Sequence, residues 1–216
     1  MTKEKTQGFS LREFSAAVIG AGGLGCNIAV HLAGAGIREL ILVDFDKISE
    51  SNLNRQFLYD TEDIGKEKVF TAKLKLEKYA PDVKITAVSQ KITKENIPPQ
   101  ISRADIIFFA ADNKDARKAM ADFSEKSGIP LMLAGIDGFY GKTYLYIPGL
   151  TPTPREAGML DGKKAQENNS ACAGLIGSLQ ASCGIRYLLT KDVSYGGKLT
   201  VFDDGSFSEL IIKPKK

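Results

Sequence analysis

Histidine and cysteine are scarce in this chain, whose 216 residues include one histidine and three cysteines. His31 falls inside an apolar helix pattern as a packed or surface residue, so no histidine base for hydride transfer is evident. Cys26, Cys172 and Cys183 show no close pairing, which argues against a disulfide framework. We therefore predict a reducing compartment, the cytoplasm.

Long apolar runs and an excess of one charge are also missing. No run approaches the roughly 20 residues that a membrane-spanning helix requires, and residues 1–8 are polar and charged, unlike a signal peptide. The net charge is only +3, with 25% charged residues, and basic and acidic residues are mixed along the chain. This pattern argues against nucleic-acid binding, so we expect neither a membrane nor a nucleic-acid partner.

Apolar strands and amphipathic helices alternate along the first part of the chain, as in an α/β domain with a parallel sheet. Predicted strands lie at 16–19, 39–44, 83–88, 105–110 and 130–135, and predicted helices at 24–35, 66–79 and 113–127. After residue 135 the alternation stops. The later pattern predicts a long strand with exposed aromatics at 139–147, a mobile or partner-covering loop at 148–169, a helix at 170–189, and a hairpin of strands 198–202 and 207–212.

A glycine-rich turn joins the first strand to the first helix, as in dinucleotide-binding folds. Gly20 permits the tight turn, Gly22 lets the backbone approach a phosphate, and Gly25 lets the helix pack on the strand. Gly23 lies in the same turn, and the helix start supplies amide donors for an anion. A Gly-rich turn without a ligand is the alternative.

Acidic residues follow the second strand. The Asp44 carboxylate can accept hydrogen bonds from a ribose diol, which fits NAD and ATP equally. Asp46 is either a supporting acid or merely solvated, and the solvated interpretation is favoured.

Fixed positive charge near the glycine turn distinguishes this chain from a dehydrogenase. Arg55, between Asn52 and Gln56, can bind phosphate oxygens through its guanidinium fork. Lys68 adds a second charge that can stabilise departing pyrophosphate. A surface ion pair is the alternative for Arg55. For Lys68 the alternative is an ordinary lysine-rich helix face.

Asp112 follows the fourth strand, where polar groups face the ligand crevice of a parallel sheet. Magnesium takes one or two carboxylates together with phosphate oxygens, so Asp112 is a candidate magnesium ligand. The alternative is that it caps the next helix.

Several motifs together resemble the ThiF/MoeB/HesA family, the prokaryotic relatives of ubiquitin-activating enzymes. The resemblance covers about residues 16–212 in order, and its Asn-Leu-Asn-Arg-Gln block is far more specific than the glycines. The motifs are the glycine turn at 20–25, Asp-Phe-Asp at 44–46, the block at 51–57, Asp-Ile-Gly-Lys-Glu-Lys at 63–68, Ala-Asp-Asn at 111–113 with Arg117, and the helix segment 175–181.

The resemblance implies one adenylation domain over residues 1–216, with a Rossmann-like, mostly parallel sheet, helices on both faces and antiparallel C-terminal strands. Its nucleotide half would be about 16–135, its carrier-binding or crossover segment 148–169, and its C-terminal helix and hairpin 170–212. The implied reaction converts ATP and the C-terminal glycine carboxylate of a small ubiquitin-like carrier, ending in Gly-Gly, into an acyl adenylate and pyrophosphate. The family is usually a homodimer.

The resemblance also implies roles for individual residues. Asp44 would hold the ribose, and Arg55 and Lys68 the phosphates. Asp112 would hold magnesium. Asn52 and Gln56 would shape the same pocket. None would act as an acid or base, since a carboxylate is already the nucleophile, and catalysis would come from alignment and charge stabilisation.

The chain departs from the family in three ways. No cysteine occurs near 152–157, where a structural zinc pair often lies, so we predict no zinc. No cysteine occurs near 162–164, the expected sulfur-transfer position, and Cys172 and Cys26 are expected to be packed thiols. An N-terminal arginine from the partner subunit often reaches ATP, and Arg12 is the one arginine available before the glycine turn.

Two other functions remain open at this point. A non-catalytic or partner-dependent nucleotide-binding protein would keep the fold without the arginine, zinc and cysteine. An NAD-dependent oxidoreductase would share Asp44 but would leave Arg55, Lys68 and Asp112 without a role.

Overall fold

The structure is a computed structural model that describes residues 10–161 and 169–213. Eight strands form one sheet in the order β3-β2-β1-β4-β5-β6-β7-β8. The first five strands are parallel and the last three run antiparallel to their neighbours. The strands are β1 Ser15–Ile19, β2 Glu39–Val43, β3 Lys84–Val88, β4 Ile106–Phe109, β5 Leu131–Asp137, β6 Tyr140–Tyr146, β7 Lys198–Asp203 and β8 Ser206–Ile211.

Helices cover both faces of this sheet. They are α1 Gly23–Gly34, α2 Lys68–Tyr79, α3 Lys114–Ser127 and α4 Ser170–Thr190. Alternate strand residues point to opposite faces: Val18, Leu42 and Phe108 pack with α1, α2 and α4, whereas Ile19 and Phe109 pack with α3. The predicted Rossmann-like architecture, with its antiparallel extension, is confirmed.

The predicted elements are all present, with ends shifted by one or two residues. The helix predicted from residue 66 begins at Lys68, because Glu67 forms an isolated antiparallel bridge with Lys47. Helix α1 ends just before Gly36, whose φ of 72° is in the left-handed region that favours glycine. Helix α3 ends in the same manner at Gly128, whose φ is 74°.

The prediction of exposed aromatics on β6 is only half right. Tyr140 is partly exposed, but Tyr144 and Tyr146 are 1% exposed. Strand β6 lies between β5 and β7, so neither of its edges is free. Its Tyr144 and Tyr146 side chains enter the core on the α3 face.

Residues 148–161 pack against the core, unlike the mobile loop that was one of the two predictions for this segment. The other prediction, a segment that covers a partner, stays a prediction. The Thr153 backbone N–H and hydroxyl both donate to Glu156 Oε2, at 2.8 and 2.9 Å. Ala157, Met159 and Leu160 are buried in the core on the α3 face. The remainder of the predicted loop, including the sulfur-transfer position near 162–164, lies outside the described residues.

The C-terminal hairpin is confirmed. Asp204 and Gly205 both have positive φ, 41° and 87°, as a two-residue primed turn requires. Every residue of β8 is exposed. Among residues 10–161 and 169–213, no helix is both long and apolar enough to cross a bilayer.

Candidate functional site

A cavity of about 580 Å³ opens at the carboxyl ends of the parallel strands, where ligands of open α/β sheets bind. Nine of the ten predicted site residues line it: Gly20, Gly22, Gly23, Asp44, Asn52, Arg55, Gln56, Lys68 and Asp112. The tenth, Gly25, is buried behind the turn and does not line the cavity. The β2 end of the cavity, as we name it, contains Gly22, Asp44, Arg55, Gln56 and Lys68. The β6 end contains Arg117, Lys142 and Met159.

The glycine turn has the geometry that its spacing predicts. Gly20 has a φ of 98°, and a Cβ there would lie 2.9 Å from the Ala110 backbone. A Cβ on Gly25 would lie 1.8 Å from the Gly20 carbonyl oxygen, so only glycine lets α1 pack this closely. Gly22 precedes α1 without a side-chain cap hydrogen bond. The first amides of the helix are therefore not satisfied by a capping side chain.

Asp44 ties the glycine turn to the loop after β2. Its Oδ2 accepts from the Ala21 N–H at 2.7 Å, and its Oδ1 accepts from the Asp46 N–H at 2.8 Å. Burial raises the pKa of Asp44, against the opposing effect of these two hydrogen bonds. Each oxygen keeps a second acceptor site, because a carboxylate oxygen has two lone pairs.

Arg55 is not part of a surface ion pair in the described structure. Its Nη1 donates to the Ser51 carbonyl at 3.0 Å and to Asn54 Oδ1 at 2.8 Å, and no described carboxylate lies within ion-pair distance. A Cβ on Gly23 would lie 3.3 Å from Arg55 Cγ, so the glycine leaves room for the arginine stem. Among the residues that the structure describes, no carboxylate therefore neutralises this guanidinium at the cavity.

Two amide side chains complete this part of the site. Gln56 is buried, and its Oε1 has no hydrogen-bond partner in the described structure. Its Nε2 lies 3.6 Å from where a Cβ on Gly22 would be. Asn52 Oδ1 accepts from the Ser49 N–H at 3.2 Å and so shapes the turn before Arg55. A buried, unpaired acceptor beside the glycine turn is an expected feature of a site that holds a ligand.

Lys68 is distinct from its neighbouring lysines. Its side chain is 7% exposed and its Nζ lies 3.1 Å from Asp46 Oδ2, whereas Lys66 and Lys73 pair with Asp63 and Glu77 outside the cavity. Asp46 is therefore not merely solvated, because it lines the cavity and orients Lys68.

Tyr59, which we did not predict from sequence, joins these elements. Its buried hydroxyl lies within hydrogen-bond distance of the Ala21 carbonyl at 2.9 Å and of the Lys68 carbonyl at 3.3 Å. It thereby connects the glycine turn to the start of α2. Burial raises its pKa far above the usual range, so this phenol remains protonated. No motif pointed to Tyr59, because the hydroxyl acts through contacts distant in sequence.

Asp112 does not cap α3. The N-cap is Asn113, whose Oδ1 accepts from the Ala116 N–H at 2.9 Å. Asp112 is exposed and lines the cavity. The capping interpretation of Asp112 is therefore wrong, and its carboxylate is available to a ligand.

The β6 end of the cavity contains two cations. Arg117 Nη1 donates to the Met159 carbonyl and Lys142 Nζ to the Gly158 carbonyl, both at 3.2 Å. Burial lowers the pKa of Arg117 to about 10. Burial, followed by the charge of Arg117, also lowers the pKa of Lys142. Arg117 stood in one of the quoted motifs, whereas no sequence signal identified Lys142.

The cysteines, the histidine and the N-terminal arginine considered in the sequence analysis do not line the cavity. Cys26 is fully buried, which raises its pKa to about 12, and burial also raises the pKa of Cys172. Both are packed thiols, as predicted. His31 is exposed, and its Nε2 forms a hydrogen bond of 2.9 Å with the Ser178 hydroxyl. Arg12 precedes β1 and is exposed at the opposite edge of the sheet from the cavity.

Comparison with known proteins agrees with this geometry. Residues 4–216 match the ThiF family. The chain belongs to the ThiF family. It is 34% identical over 200 residues to the sulfur carrier protein ThiS adenylyltransferase of Escherichia coli, covering 88% of this chain and 77% of that protein. It is 30% identical to the SAMP-activating enzyme E1 of Haloferax volcanii, covering 86% and 71%.

Solved structures support the fold of this ThiF-family chain. E. coli MccB, crystallised with ATP, superposes with a TM-score of 0.82 at 22% identity. The match covers 95% of this chain and 65% of MccB. At this identity the likeness concerns the fold alone.

Proposed function

We propose that this chain is an adenylyltransferase that joins the C-terminal carboxylate of a small ubiquitin-like sulfur carrier to AMP derived from ATP. A carboxylate oxygen of the carrier attacks the α-phosphorus, and the bond between that phosphorus and the pyrophosphate oxygen breaks. The proposal is supported above all by one cavity that brings together Arg55, Lys68 and Asp112. Relatives named as adenylyltransferases of a sulfur carrier, ThiS, support the same class of reaction.

The β2 end of the cavity fits a triphosphate. Arg55 offers charge without a described carboxylate partner, and Lys68 is held in place by Asp46 at 3.1 Å. Both can stabilise negative charge that moves onto the departing pyrophosphate. The helix start at Gly22 and Gly23 adds amide donors for phosphate oxygens.

Asp44 and Gln56 fit the remaining parts of the nucleotide. The free lone pairs of Asp44 can accept hydrogen bonds from ribose hydroxyls, in addition to the two backbone amides they already bind. The unpaired Oε1 of Gln56 needs a donor, which a bound ligand or its ordered water supplies. Asn52 acts indirectly by fixing the turn that presents Arg55.

Asp112 is the residue that would hold magnesium, since its carboxylate is exposed at the cavity and does not cap a helix. The described residues contain no cluster of three or more metal-ligating side chains. One carboxylate with phosphate oxygens and waters is nevertheless an ordinary magnesium site. When bound there, the ion would neutralise charge on the phosphates.

No residue of the chain needs to act as a general base, because the attacking carboxylate is already ionised near neutral pH. The protein contributes alignment of the carboxylate with the α-phosphorus, and exclusion of water from the reacting atoms. The buried residues Met159 and Leu160 of the turn at 153–160 line the cavity. We propose the crossover segment 148–169 as the surface on which the carrier tail enters.

The assembly, pathway and compartment are further parts of the proposal. We propose a homodimer in which Arg12 of each protomer approaches the partner's cavity, since Arg12 lies far from the cavity of its own chain. The pathway would be thiamine, molybdopterin or related sulfur metabolism. We also propose the cytoplasm as compartment and a chain without structural zinc.

ATP–pyrophosphate exchange with the purified chain tests the proposal. A ubiquitin-like carrier ending in Gly-Gly should support exchange, and the same carrier with its last glycine removed should not. ATP binding without exchange for any carrier would favour the non-catalytic alternative. NADH binding without exchange would favour an oxidoreductase and overturn the proposal.

A further inference from the structure

The β6 end of the cavity contains two half-buried cations, neither of which forms an ion pair with a carboxylate of the described residues. Arg117 and Lys142 donate to the consecutive carbonyls of Met159 and Gly158. Asp112 also lines the cavity, and its charge partly offsets the effect of burial on the pKa of Arg117, but the two side chains are not within ion-pair distance in the described structure. Within residues 10–161 and 169–213, the groups that accept hydrogen bonds from the two cations are therefore neutral carbonyls.

Two like charges at one half-buried site repel each other unless an anion joins them. Burial, and then the charge of Arg117, lower the pKa of Lys142, in the direction expected for two like charges that donate to consecutive carbonyls. The Phe109 ring, 5.1 Å from the guanidinium carbon, holds Arg117 in place. The pair is thus prearranged to accept a negative group.

The surroundings of the pair favour a small, chain-terminal anion. Lys142 lies opposite Gly135 in the register of β6 and β5, and Lys142 Cε lies 4.0 Å from where a Cβ on Gly135 would be. The missing side chain leaves a narrow space beside the ammonium group. Met159 and Leu160 supply apolar walls. These surroundings suit the end of a peptide that has no side chains.

We propose that Arg117 and Lys142 recognise the terminal carboxylate of the incoming carrier tail. The site lies across the cavity from Lys68, because β6 and β2 are on opposite sides of β1 and β4 in the sheet. The two cations would direct the carboxylate into the cavity before it meets the α-phosphorus. This inference rests on the proposed function, which supplies the identity of the tail.

Peptide binding without ATP tests this assignment directly. The probes are a synthetic ten-residue peptide ending in Gly-Gly with a free carboxylate, and the same peptide with a C-terminal amide. Isothermal titration should give at least tenfold tighter binding of the acid than of the amide. Lys142→Gln should abolish this difference by weakening the acid alone, and Lys142→Arg should preserve it.

The controls separate anion recognition from support of the turn. Lys118→Gln removes an exposed lysine beside Arg117 that does not line the cavity, and should preserve the preference for the acid. Equal weakening of acid and amide by Lys142→Gln would mean that Lys142 only positions residues 158–159, and would overturn the proposal. Tight binding of an amidated peptide with a final Glu would assign the site to side-chain carboxylates instead and would also overturn it.

Exchange kinetics distinguish this inference from the proposed function. Lys142→Gln should raise KM for the carrier about tenfold and change KM for ATP less than twofold. If no carrier supports exchange but the peptide preference is observed, the proposed function fails and the carboxylate site stands. If exchange occurs and the acid and amide peptides bind equally, only the carboxylate site fails.

Discussion

Cations in the cavity and cations on the adjacent turn have opposite surroundings. Asp60 and Asp63 of the turn before α2 form ion pairs with Lys75 of that helix, and Asp63 also pairs with Lys66. In the cavity, Arg55 contacts only neutral oxygens in the described structure. The comparison teaches that the location of a basic residue matters more than its type. Basic residues beside α2 pair with acids and stabilise the fold, whereas Arg55 at the cavity can pair with a ligand.

Lys68 lies between these two cases, because it lines the cavity and yet pairs with Asp46. Its partner Asp46 is half-exposed, so this single ion pair orients the Lys68 ammonium group and leaves it able to bind a ligand as well. The following four predictions test the contrast between paired and unpaired charges, in order of decreasing effect.

Removing Arg55 should have the largest effect on activity. We expect Arg55→Ala to lower exchange by about 10²–10³-fold, the usual loss when a charge-stabilising group is removed, while the melting temperature stays unchanged. Pyrophosphate exchange and thermal denaturation measure the two quantities. Arg38→Ala, an exposed arginine at the opposite edge of the sheet, is the matched control. Near-normal exchange in Arg55→Ala would contradict its assigned role.

Asp112→Asn should raise the magnesium concentration for half-maximal exchange by about tenfold, equivalent to about 1.4 kcal/mol of binding free energy. The neighbouring Asn113→Ala is the control, because it removes the helix cap and should cost about 1 kcal/mol of stability without moving the magnesium midpoint. An unchanged magnesium titration in Asp112→Asn would exclude it as a ligand.

The paired region should instead respond in stability and with pH. Burial alone would raise the pKa of Asp63, but hydrogen bonds from Lys75, the Asp60 backbone and Lys66 lower it to about 2. Because the folded pKa is below the unfolded value, Asp63 stabilises the fold above about pH 4. This contribution disappears as the pH falls towards 2.

Asp63→Asn should therefore lower the melting temperature near neutral pH by about 2–4 °C for each kcal/mol lost, and should have little effect at pH 2. Exchange per folded molecule should be unchanged, since Asp63 lies outside the cavity. A melting difference independent of pH would show that the loss has another cause.

The smallest effect is expected at the Lys73–Glu77 pair on α2, where both side chains are partly exposed and 3.7 Å apart. Exposed i,i+4 pairs contribute about 0.3–0.5 kcal/mol, so Glu77→Gln should change the unfolding free energy by no more than that. Urea denaturation at low and high salt measures it. A larger or salt-independent change would show that the pair does more than a surface contact.

Local patterns in the sequence predicted most of the fold. The hydrophobic periodicity of strands and helices predicted the order of the elements. The spacing of Gly20 and Gly25 predicted the turn, because the steric constraints on it come largely from residues close in sequence. The buried face of β6 was missed because burial of Tyr144 depends on β7, which is distant in sequence. The turn at 153–160 was misjudged because its proline-rich composition conceals the packing of Met159.

In the candidate site, too, residues in local motifs were predicted and residues that depend on distant contacts were not. Arg55, Lys68 and Asp112 could be chosen because they stand in short, specific motifs. Lys142 and Tyr59 could not, because their contacts come from strand pairing and from carbonyls on other elements. Asp46 was undervalued, since only the folded chain brings it to Lys68.

The Tyr59 hydroxyl has a mechanical consequence for substrate turnover. It lies within hydrogen-bond distance of carbonyls in both the segment before α1 and the first turn of α2, so one hydroxyl group links these two walls of the cavity. We therefore expect a bound nucleotide to change the distance between these two walls less than the positions of Arg55 and the turn at 153–160. Tyr59→Phe would uncouple the two walls, which hydrogen exchange of the Ala21 and Lys68 amides would report.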